Sequence, residues 1–248
     1  MSRKGLVWSR ARVERDWALL PPEGVAESVL PEWRNTVSKI LAAPAMGAGF
    51  AQYELALAAG GGTEQQLPER LQSFLYVLDG RVRCDVNGSG NQLDTGGYVY
   101  MKPGSRFAVS ADAPARLLWL KKPYRSFGSL APHDTVGDER KLPGENYMDL
   151  PGVLLKTLLP AEPAWDMAMN IFTFPPGGAL PVIETHVMEH GLVMLQGQGV
   201  YYLGREWMEV REGDFIWMGP YVPQSFYATG PEASRYIYYK DVHRDVVL

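Results

Sequence analysis

The feature that most constrains the fold of this chain is an internal duplication, in which the second half repeats the first at an offset of 117 residues without gaps. The matches are dominated by glycine, proline and apolar residues, which set turns and strand packing. The matched pairs are Lys39/Lys156, Leu41/Leu158, Ala51/Ala168, Gly61/Gly178, Leu78/Leu195, Gly80/Gly197, Gly96/Gly213, Met101/Met218 and Pro103/Pro220. Such a repeat predicts two units that share a backbone but need not share a ligand set.

Each unit consists of short apolar segments separated by turn residues. In the first unit, residues 74–78 lead into Asp79-Gly80, and residues 81–86 lead into Asn87-Gly88, which is a strong hairpin signal. The second unit repeats this order, and its segment 235–239 is rich in β-branched and aromatic residues. Many short strands with regular turns predict an all-β chain, with a sandwich or barrel in each half.

The duplication also predicts how the chain is divided. Residues 1–38 precede the repeat and form an N-terminal arm, residues 39–124 form the first unit, and residues 152–248 form the second. The segment 125–151 is polar and rich in proline, glycine and aspartate, so we expect it to be a linker. Arms of this kind pack on a neighbouring domain or on another subunit, and the sequence leaves both alternatives open.

Composition excludes several classes of partner. The formal net charge is -4, and no stretch of basic residues is dense enough to track phosphates, so neither nucleic acid nor an anionic membrane is expected to bind. The first residues, Met1 to Trp8, begin like a signal peptide, but the charged residues that follow interrupt any apolar core. The single cysteine, Cys84, allows no internal disulfide and is interpreted as a buried thiol, which fits a cytoplasmic location.

Two of the four histidines lie close together in the segment 184–190, between Gly178 and Gly197. If the segment is a strand, then Glu184, His186 and His190 share one face and converge. Two imidazoles and a carboxylate form a site for a divalent transition metal. A pair of satisfied core or surface histidines is the alternative interpretation. Glu189 has the opposite parity, so we expect it to be exposed or to support the ligands from behind.

The spacing and the duplication together resemble a bicupin, a chain of two tandem cupin barrels. Cupins carry one motif with three ligands between glycines and a second motif with a fourth ligand. Here Gly178 to Gly197 matches the first motif and Gly213 to Gln224 matches the second. Cupins usually supply His, His, Glu and His, whereas this chain has Glu184, His186, His190 and Gln224. That set, and the segment 22–31 near the start, resemble the (S)-ureidoglycine aminohydrolase family over nearly the whole chain.

The resemblance implies that the chain binds manganese through four ligands, namely Glu184, His186, His190 and Gln224. Such a set leaves two octahedral positions open and has no thiolate, which favours manganese or ferrous iron over structural zinc. Gln224 is the weakest donor, and a purely structural amide is the alternative. In the first unit the equivalent residues are Leu67, Glu69, Ser73 and Phe107. Because three of these cannot replace the ligands, we expect one metal site per chain, in the C-terminal barrel.

A second group of candidates lies near the C-terminus, where Tyr236, Tyr238 and Lys240 share one strand face. A tyrosine-rich edge strand with a solvated lysine is the simpler interpretation. If the face points into the barrel, Lys240 needs an anionic partner, which a substrate carboxylate would supply. The resemblance implies that Tyr201, Tyr236 and Lys240 contact substrate. As a separate hypothesis, we expect Glu184 and Lys240 to take part in catalysis, Glu184 by handling protons and Lys240 by pairing with the substrate carboxylate.

The function expected from the resemblance is hydrolysis of (S)-ureidoglycine, a small ureido compound, to (S)-ureidoglycolate and ammonia in allantoin and purine catabolism. Two alternatives remain open. A ferrous dioxygenase would also use open positions beside two histidines and a carboxylate. A non-catalytic small-molecule sensor is the other, although no helix-turn-helix region or basic patch is present to act as its output. The resemblance further implies a homo-oligomer.

Overall fold

The computed structural model describes residues 9–245, so the signal-like start at Met1 to Trp8 lies outside the described residues. Within that range the chain is all β, with short 3₁₀ turns at Pro22–Gly24, Pro44–Met46, Glu139–Lys141 and Tyr147–Asp149. None of the helical segments in this part of the chain is long and apolar enough to cross a membrane. The first twelve strands are β1 (Arg12–Val13), β2 (Trp17–Leu20), β3 (Glu27–Ser28), β4 (Arg34–Ala42), β5 (Ala51–Gln66), β6 (Leu71–Asp79), β7 (Arg81–Val86), β8 (Ser89–Asp94), β9 (Gly97–Met101), β10 (Arg106–Ser110), β11 (Ala115–Pro123) and β12 (Thr135–Asp138). The remaining strands are β13 (Glu145–Asn146), β14 (Leu154–Thr157), β15 (Met167–Phe174), β16 (His190–Gln196), β17 (Gln198–Leu203), β18 (Glu206–Arg211), β19 (Phe215–Met218), β20 (Gln224–Ala228) and β21 (Ser234–Asp241).

The N-terminal barrel is built from one sheet in the order β12-β9-β6-β11-β5-β10-β7-β8, with β3 and β4 attached through β5. Strand β5 is long enough to pair with β11 along its first part and with β10 along its second. Gly62 pairs with Ser110 of β10, and a Cβ at Gly62 would be 2.0 Å from the carbonyl oxygen of Val109. A glycine is therefore needed where this strand turns the corner of the barrel.

The C-terminal barrel combines an eight-stranded sheet, in the order β1-β2-β19-β16-β21-β15-β14-β13, with a three-stranded sheet, β18-β17-β20. Strands β1 and β2 come from the predicted N-terminal arm, and β2 pairs with β19 from Phe215↔Leu20 to Met218↔Trp17. Of the two partners that the sequence left open for the arm, this part of it therefore packs on the C-terminal domain of its own chain.

The turns confirm the duplication at the level of backbone conformation. Gly80 and Gly197 follow equivalent strands with φ of 80° and 76°, and Gly96 and Gly213 have φ of 88° and 86°. These left-handed values are strained for residues with a Cβ, which explains why glycine is retained at both copies. The predicted all-β fold of two tandem barrels is confirmed.

Three apolar clusters form the core. One fills the N-terminal barrel, one fills the C-terminal barrel, and the third joins the two and includes Phe50, Trp165, Trp217 and Tyr239. The rings of Phe50 and Tyr239, from opposite barrels, are 4.6 Å apart. Cys84 is buried in the N-terminal cluster with 2% of its surface exposed, and burial raises the pKa of its thiol to about 12. The two barrels are thus packed through an extensive apolar interface.

The segment 125–151 contributes structure of its own. Strand β12 extends the N-terminal sheet through β9, and β13 extends the C-terminal sheet through β14. Between them Glu139 is buried and accepts hydrogen bonds from Lys156 at 2.6 Å and from Arg235 at 2.7 Å. This part of the chain therefore ties both sheets together.

Candidate metal centre and substrate pocket

The segment that carries the candidate ligands is a loop, so the expectation that Glu184, His186 and His190 share a face of one continuous strand is wrong. Glu184 forms only an isolated bridge, and His190 is the first residue of β16. The residues between them have no ladder partner. Instead, the carbonyl of His186 accepts the backbone N–H of Tyr221 at 2.8 Å. The meeting of the two histidines is a property of this loop rather than of strand alternation.

The two imidazoles face each other through their Nε2 atoms, which are 3.2 Å apart. On the opposite side of each ring, Nδ1 faces a backbone carbonyl: that of Met188 for His186 at 3.1 Å, and that of Tyr239 for His190 at 3.2 Å. Carbonyl oxygens only accept hydrogen bonds, so each ring carries its proton on Nδ1. Both Nε2 lone pairs therefore point at the same space.

The surroundings keep both rings neutral. Burial lowers the pKa of His190 well below its ordinary value, and His186 and Lys240 lower it further. Burial and Lys240 also lower the pKa of His186. Two nitrogen ligands that lie about 2.1 Å from one ion, at about 90–110° to each other, are about 3.0–3.4 Å apart. The observed spacing of the two neutral nitrogens fits a shared cation.

Gln224 and Glu184 lie side by side next to the histidines. Their backbones exchange two hydrogen bonds of 2.9 Å, which joins the ligand loop to the start of β20. The Gln224 side-chain Nε2 lies 3.4 Å from Nε2 of His186, and its Oε1 accepts a hydrogen bond from Tyr201 at 3.1 Å. A half-turn of the amide would exchange these two atoms and present the oxygen beside His186.

The four candidate ligands are adjacent, but not all of them converge on one point. Among residues 9–245 no group of three or more His, Cys, Asp and Glu side chains is arranged as a complete metal site. Glu184 lines the same cavity as His190 and Gln224. The side chains that meet are thus those of His186, His190 and Gln224. Two neutral imidazole nitrogens and an amide, with the Glu184 carboxylate nearby as a fourth donor, fit a divalent metal.

A cavity of about 200 Å³ opens beside this cluster inside the C-terminal barrel. Its wall combines polar groups around the ligands with aromatic and aliphatic side chains on the remaining sides. The lining residues are Tyr147, Leu155, Asn170, Phe172, Glu184, His190, Leu192, Tyr201, Met218, Gln224, Tyr236, Tyr238 and Lys240. Its size and its few convergent polar groups suit a small polar molecule.

All three predicted substrate contacts line this cavity. Tyr201 projects from β17, while Tyr236 and Lys240 lie on one face of β21, which pairs with both β15 and β16. Burial raises the pKa of both tyrosines well above its ordinary value, so both keep their hydroxyl protons. The face of β21 therefore points into the barrel, and Lys240 is not a solvated lysine on an edge strand.

Three further polar residues line the cavity besides the predicted ligands and substrate contacts. Tyr238 lies between Tyr236 and Lys240 on the same face, and its hydroxyl accepts a hydrogen bond from Asn170 at 3.0 Å. The sequence predicts Tyr238 on this face from strand alternation, but assigns it no role. Asn170 pairs with Tyr238 across strands, which requires the register of β15 and β21. Tyr147 comes from the predicted linker, where the sequence has no periodic pattern to follow.

Two of the four equivalent positions in the N-terminal barrel hold apolar side chains, and the other two hold Glu69, which is exposed, and Ser73. Leu67 and Phe107 are buried in the core cluster of that barrel. The Ser73 hydroxyl donates a hydrogen bond to the carbonyl of Leu120 at 2.9 Å, and accepts one from the indole of Trp119 at 2.9 Å. The space that forms the ligand pocket in one barrel is filled by packed side chains in the other.

Comparison with known proteins identifies relatives of this chain. A family model described as a cupin domain matches residues 170–239, which include both histidines and Gln224. A curated (S)-ureidoglycine aminohydrolase from Escherichia coli (strain K12) is 39% identical over 251 residues, which cover 99% of this chain and 96% of the relative. An (S)-ureidoglycine aminohydrolase from Arabidopsis thaliana is 35% identical over 241 residues, which cover 96% of this chain and 80% of the relative.

Solved structures show the same relationship. The crystal structure of protein Ylba from E. coli superposes with a TM-score of 0.88 at 36% sequence identity and covers 100% of both chains. The fold and the full-length sequence similarity lead to one assignment. The chain belongs to the (S)-ureidoglycine aminohydrolase family of cupin proteins.

Proposed function

We propose that this chain hydrolyses (S)-ureidoglycine to (S)-ureidoglycolate and ammonia, in the breakdown of allantoin and purines. The observation that carries the proposal is the sequence identity of 39% to a curated (S)-ureidoglycine aminohydrolase over 99% of the chain. The pocket supports it, because a cavity of about 200 Å³ beside the histidine pair suits a small ureido acid.

The proposed cofactor is one Mn²⁺ per chain, held by Glu184, His186, His190 and Gln224. The neutral histidine pair and the adjacent oxygen donors support a divalent ion, and Fe²⁺ would also suit this set. When bound, the ion would act as a Lewis acid and as a template that orients the substrate. The two carbonyl groups behind the histidines, those of Met188 and Tyr239, hold the rings in the required tautomer.

The proposed substrate contacts follow from the charges of the pocket wall. Lys240 makes none of the ion pairs found among the described residues, and it lines the cavity, so a substrate carboxylate would complete its pairing. Tyr201 and Tyr236 remain protonated and supply neutral hydroxyl groups for the amino and ureido ends. Holding three groups of one carbon at once presents a single face of it to water.

In the proposed reaction the bond between the central carbon and the amine breaks, and the electron pair leaves with nitrogen as ammonia. The neighbouring ureido nitrogen assists by donating its lone pair to the carbon. Water then adds to the carbon and loses one proton, so that the overall balance is one water consumed and one ammonia released. The amine leaves from its ammonium form and needs no proton from water. Glu184, which lies in the cavity wall, takes the proton that the added water loses.

The proposed setting is a homo-oligomer in the cytoplasm with one active site per chain, in the C-terminal barrel. The single cysteine is buried, in keeping with a reducing compartment. Exposed apolar residues such as Val182, Ile183 and Tyr221, on and beside the ligand loop, offer surface for assembly. Light scattering on the purified protein would give its mass in solution and thereby test whether it is a homo-oligomer.

The proposal is tested by loading the purified protein with Mn²⁺ and generating unstable ureidoglycine in place from allantoate with an allantoate amidohydrolase. Ammonia release and the chirality of ureidoglycolate are followed together. We expect faster release and one product enantiomer. Both should be lost in His186→Ala and kept in the matched variant His133→Ala, whose ring is exposed and packs edge-on against Trp165 outside the pocket.

A rate equal to the spontaneous one, with product of mixed chirality, would contradict the proposal. Oxygen consumption that depends on Fe²⁺ would then point to the dioxygenase alternative. Binding of ureido compounds without turnover would instead point to a sensor.

A further inference from the structure

Glu189, which directly precedes His190, joins the loop of the candidate ligands to the N-terminal barrel. Its side chain is buried, with 7% of its surface exposed, which corrects the expectation that it could be solvent-exposed. One carboxylate oxygen accepts the backbone N–H of Gly49 at 3.0 Å. Gly49 precedes β5 of the N-terminal barrel, so the hydrogen bond spans 140 residues of sequence and crosses the barrel interface.

The contact depends on a missing side chain. A Cβ at Gly49 would lie 2.5 Å from a carboxylate oxygen of Glu189, closer than such atoms approach in proteins. On the other side of His190 the fit is equally tight, since a Cβ at Gly191 would be 2.5 Å from the amide oxygen of Gln52 and 2.6 Å from the ring of Phe50. The N-terminal barrel thus touches both neighbours of His190.

The backbone of Glu189 is anchored as well. Its N–H donates to the carboxylate of Asp241 at 2.7 Å, and that carboxylate is paired with Arg244 at 3.0 Å. The loop is therefore held from two sides, by the C-terminal strand β21 through its backbone and by the N-terminal barrel through its side chain. A buried carboxylate is costly unless it accepts hydrogen bonds, so the bond from Gly49 also sets where the Glu189 side chain can lie.

We propose that the N-terminal barrel acts as a positioning element for the metal centre, with Gly49 and Glu189 as the positioning residues. The hydrogen bond between them fixes the turn between His186 and His190 and holds the two Nε2 atoms at the spacing that a metal needs. This inference rests on the metal-binding part of the proposed function. It gives a role to a barrel in which two of the four equivalent positions, Leu67 and Phe107, are packed into the apolar core.

The test is the Mn²⁺ affinity of Gly49→Ala, measured by electron paramagnetic resonance of free Mn²⁺ during titration. Loss of support behind metal ligands weakens binding by about 10- to 100-fold, and we expect a dissociation constant at least about tenfold weaker. Gly90→Ala is the matched control, because a Cβ there meets only Asp85 at 3.7 Å. Amide hydrogen exchange of both metal-free proteins should show faster exchange in residues 184–190 of Gly49→Ala alone.

If wild type binds Mn²⁺ and the two variants Gly49→Ala and Gly90→Ala bind it with equal affinity, the inference is overturned and the proposed function is left intact. Absence of Mn²⁺ binding in wild type would instead remove the metal-dependent function. If Gly49→Ala does not fold, Glu189→Gln and Glu189→Ala decide. The first keeps an acceptor oxygen and should bind Mn²⁺ as wild type does, and the second should bind about tenfold more weakly. Equal affinities in this pair would also overturn the inference.

Discussion

Asp166 is the most densely bonded carboxylate at the junction of the two barrels, and Asp166→Asn should destabilise the whole chain. The residue is 1% exposed and lies just before β15. One of its oxygens accepts hydrogen bonds from Lys122 at 2.9 Å, from Gln72 at 2.9 Å and from the backbone of Arg125 at 2.8 Å. The other oxygen is paired with Arg244. Donors from both halves of the chain therefore meet on one side chain.

The asparagine variant keeps one acceptor oxygen but loses the charge. Lys122 is only 4% exposed, so its ammonium would lose the carboxylate that compensates for its burial. Removing one partner of a buried ion pair costs about 3–5 kcal/mol. We expect a loss near the lower value, about 3 kcal/mol, since an amide oxygen still accepts. For a chain of this size each kcal/mol lowers Tm by about 2–4 °C, which gives a fall of about 6–12 °C.

Calorimetry and urea unfolding followed by circular dichroism measure this change. The matched control is Asp112→Asn, whose pair with Arg83 is exposed on both sides and should change stability by less than about 0.5 kcal/mol. A loss in Asp166→Asn no larger than in Asp112→Asn would refute the reasoning. It would mean that the apolar interface alone holds the barrels together.

Three further changes have definite expected results. Lys240→Met should lower kcat/KM about 10- to 150-fold, the value of a charge-assisted bond of about 1.5–3 kcal/mol, without weakening Mn²⁺ binding, since it removes a cation from beside the histidines. Lys102→Met should change neither quantity. Cys84, with its pKa raised to about 12 by burial, should react with a thiol reagent only after unfolding, and rapid reaction of the folded protein would contradict its burial. Burial acts to raise the pKa of Glu139, but hydrogen bonds from Lys156 and Arg235 outweigh it and lower that pKa below its ordinary 4.5. Wild type should therefore be more stable than Glu139→Gln above about pH 4.5, and this advantage should shrink as the pH falls below that value. An advantage that is independent of pH in unfolding titrations would exclude this ion pair as its source.

The fold was accessible from the sequence because its signals are local. Glycines at equivalent turns, such as Gly80 and Gly197, share a left-handed backbone that few other residues adopt. The repeat then implied that both halves build the same barrel. Strand segments such as 81–86 coincide with β7 because alternation and turn residues act over a few positions.

The candidate site was only partly accessible. The two histidines follow from their spacing between Gly178 and Gly197, whereas Gln224 follows from the resemblance to the second cupin motif. These three side chains do lie together. The expected mechanism of their convergence was wrong, because strand alternation assumes a ladder that the loop around His186 does not have. Tyr147 was missed because its position in the cavity depends on where a segment between the barrels folds back, which no periodicity records.

The sequence by itself determined the all-β class, the two barrels and the types of donor available to a metal, since these depend on side-chain chemistry and on patterns a few residues long. Only the tertiary structure decided that Glu189 accepts a hydrogen bond from Gly49, and that Asp166 is bonded by both Gln72 and Arg244. Those contacts join residues that are far apart along the chain, and their existence depends on the docking of one barrel on the other. Local patterns carry no record of that docking, because its register is set by the packing of the whole interface.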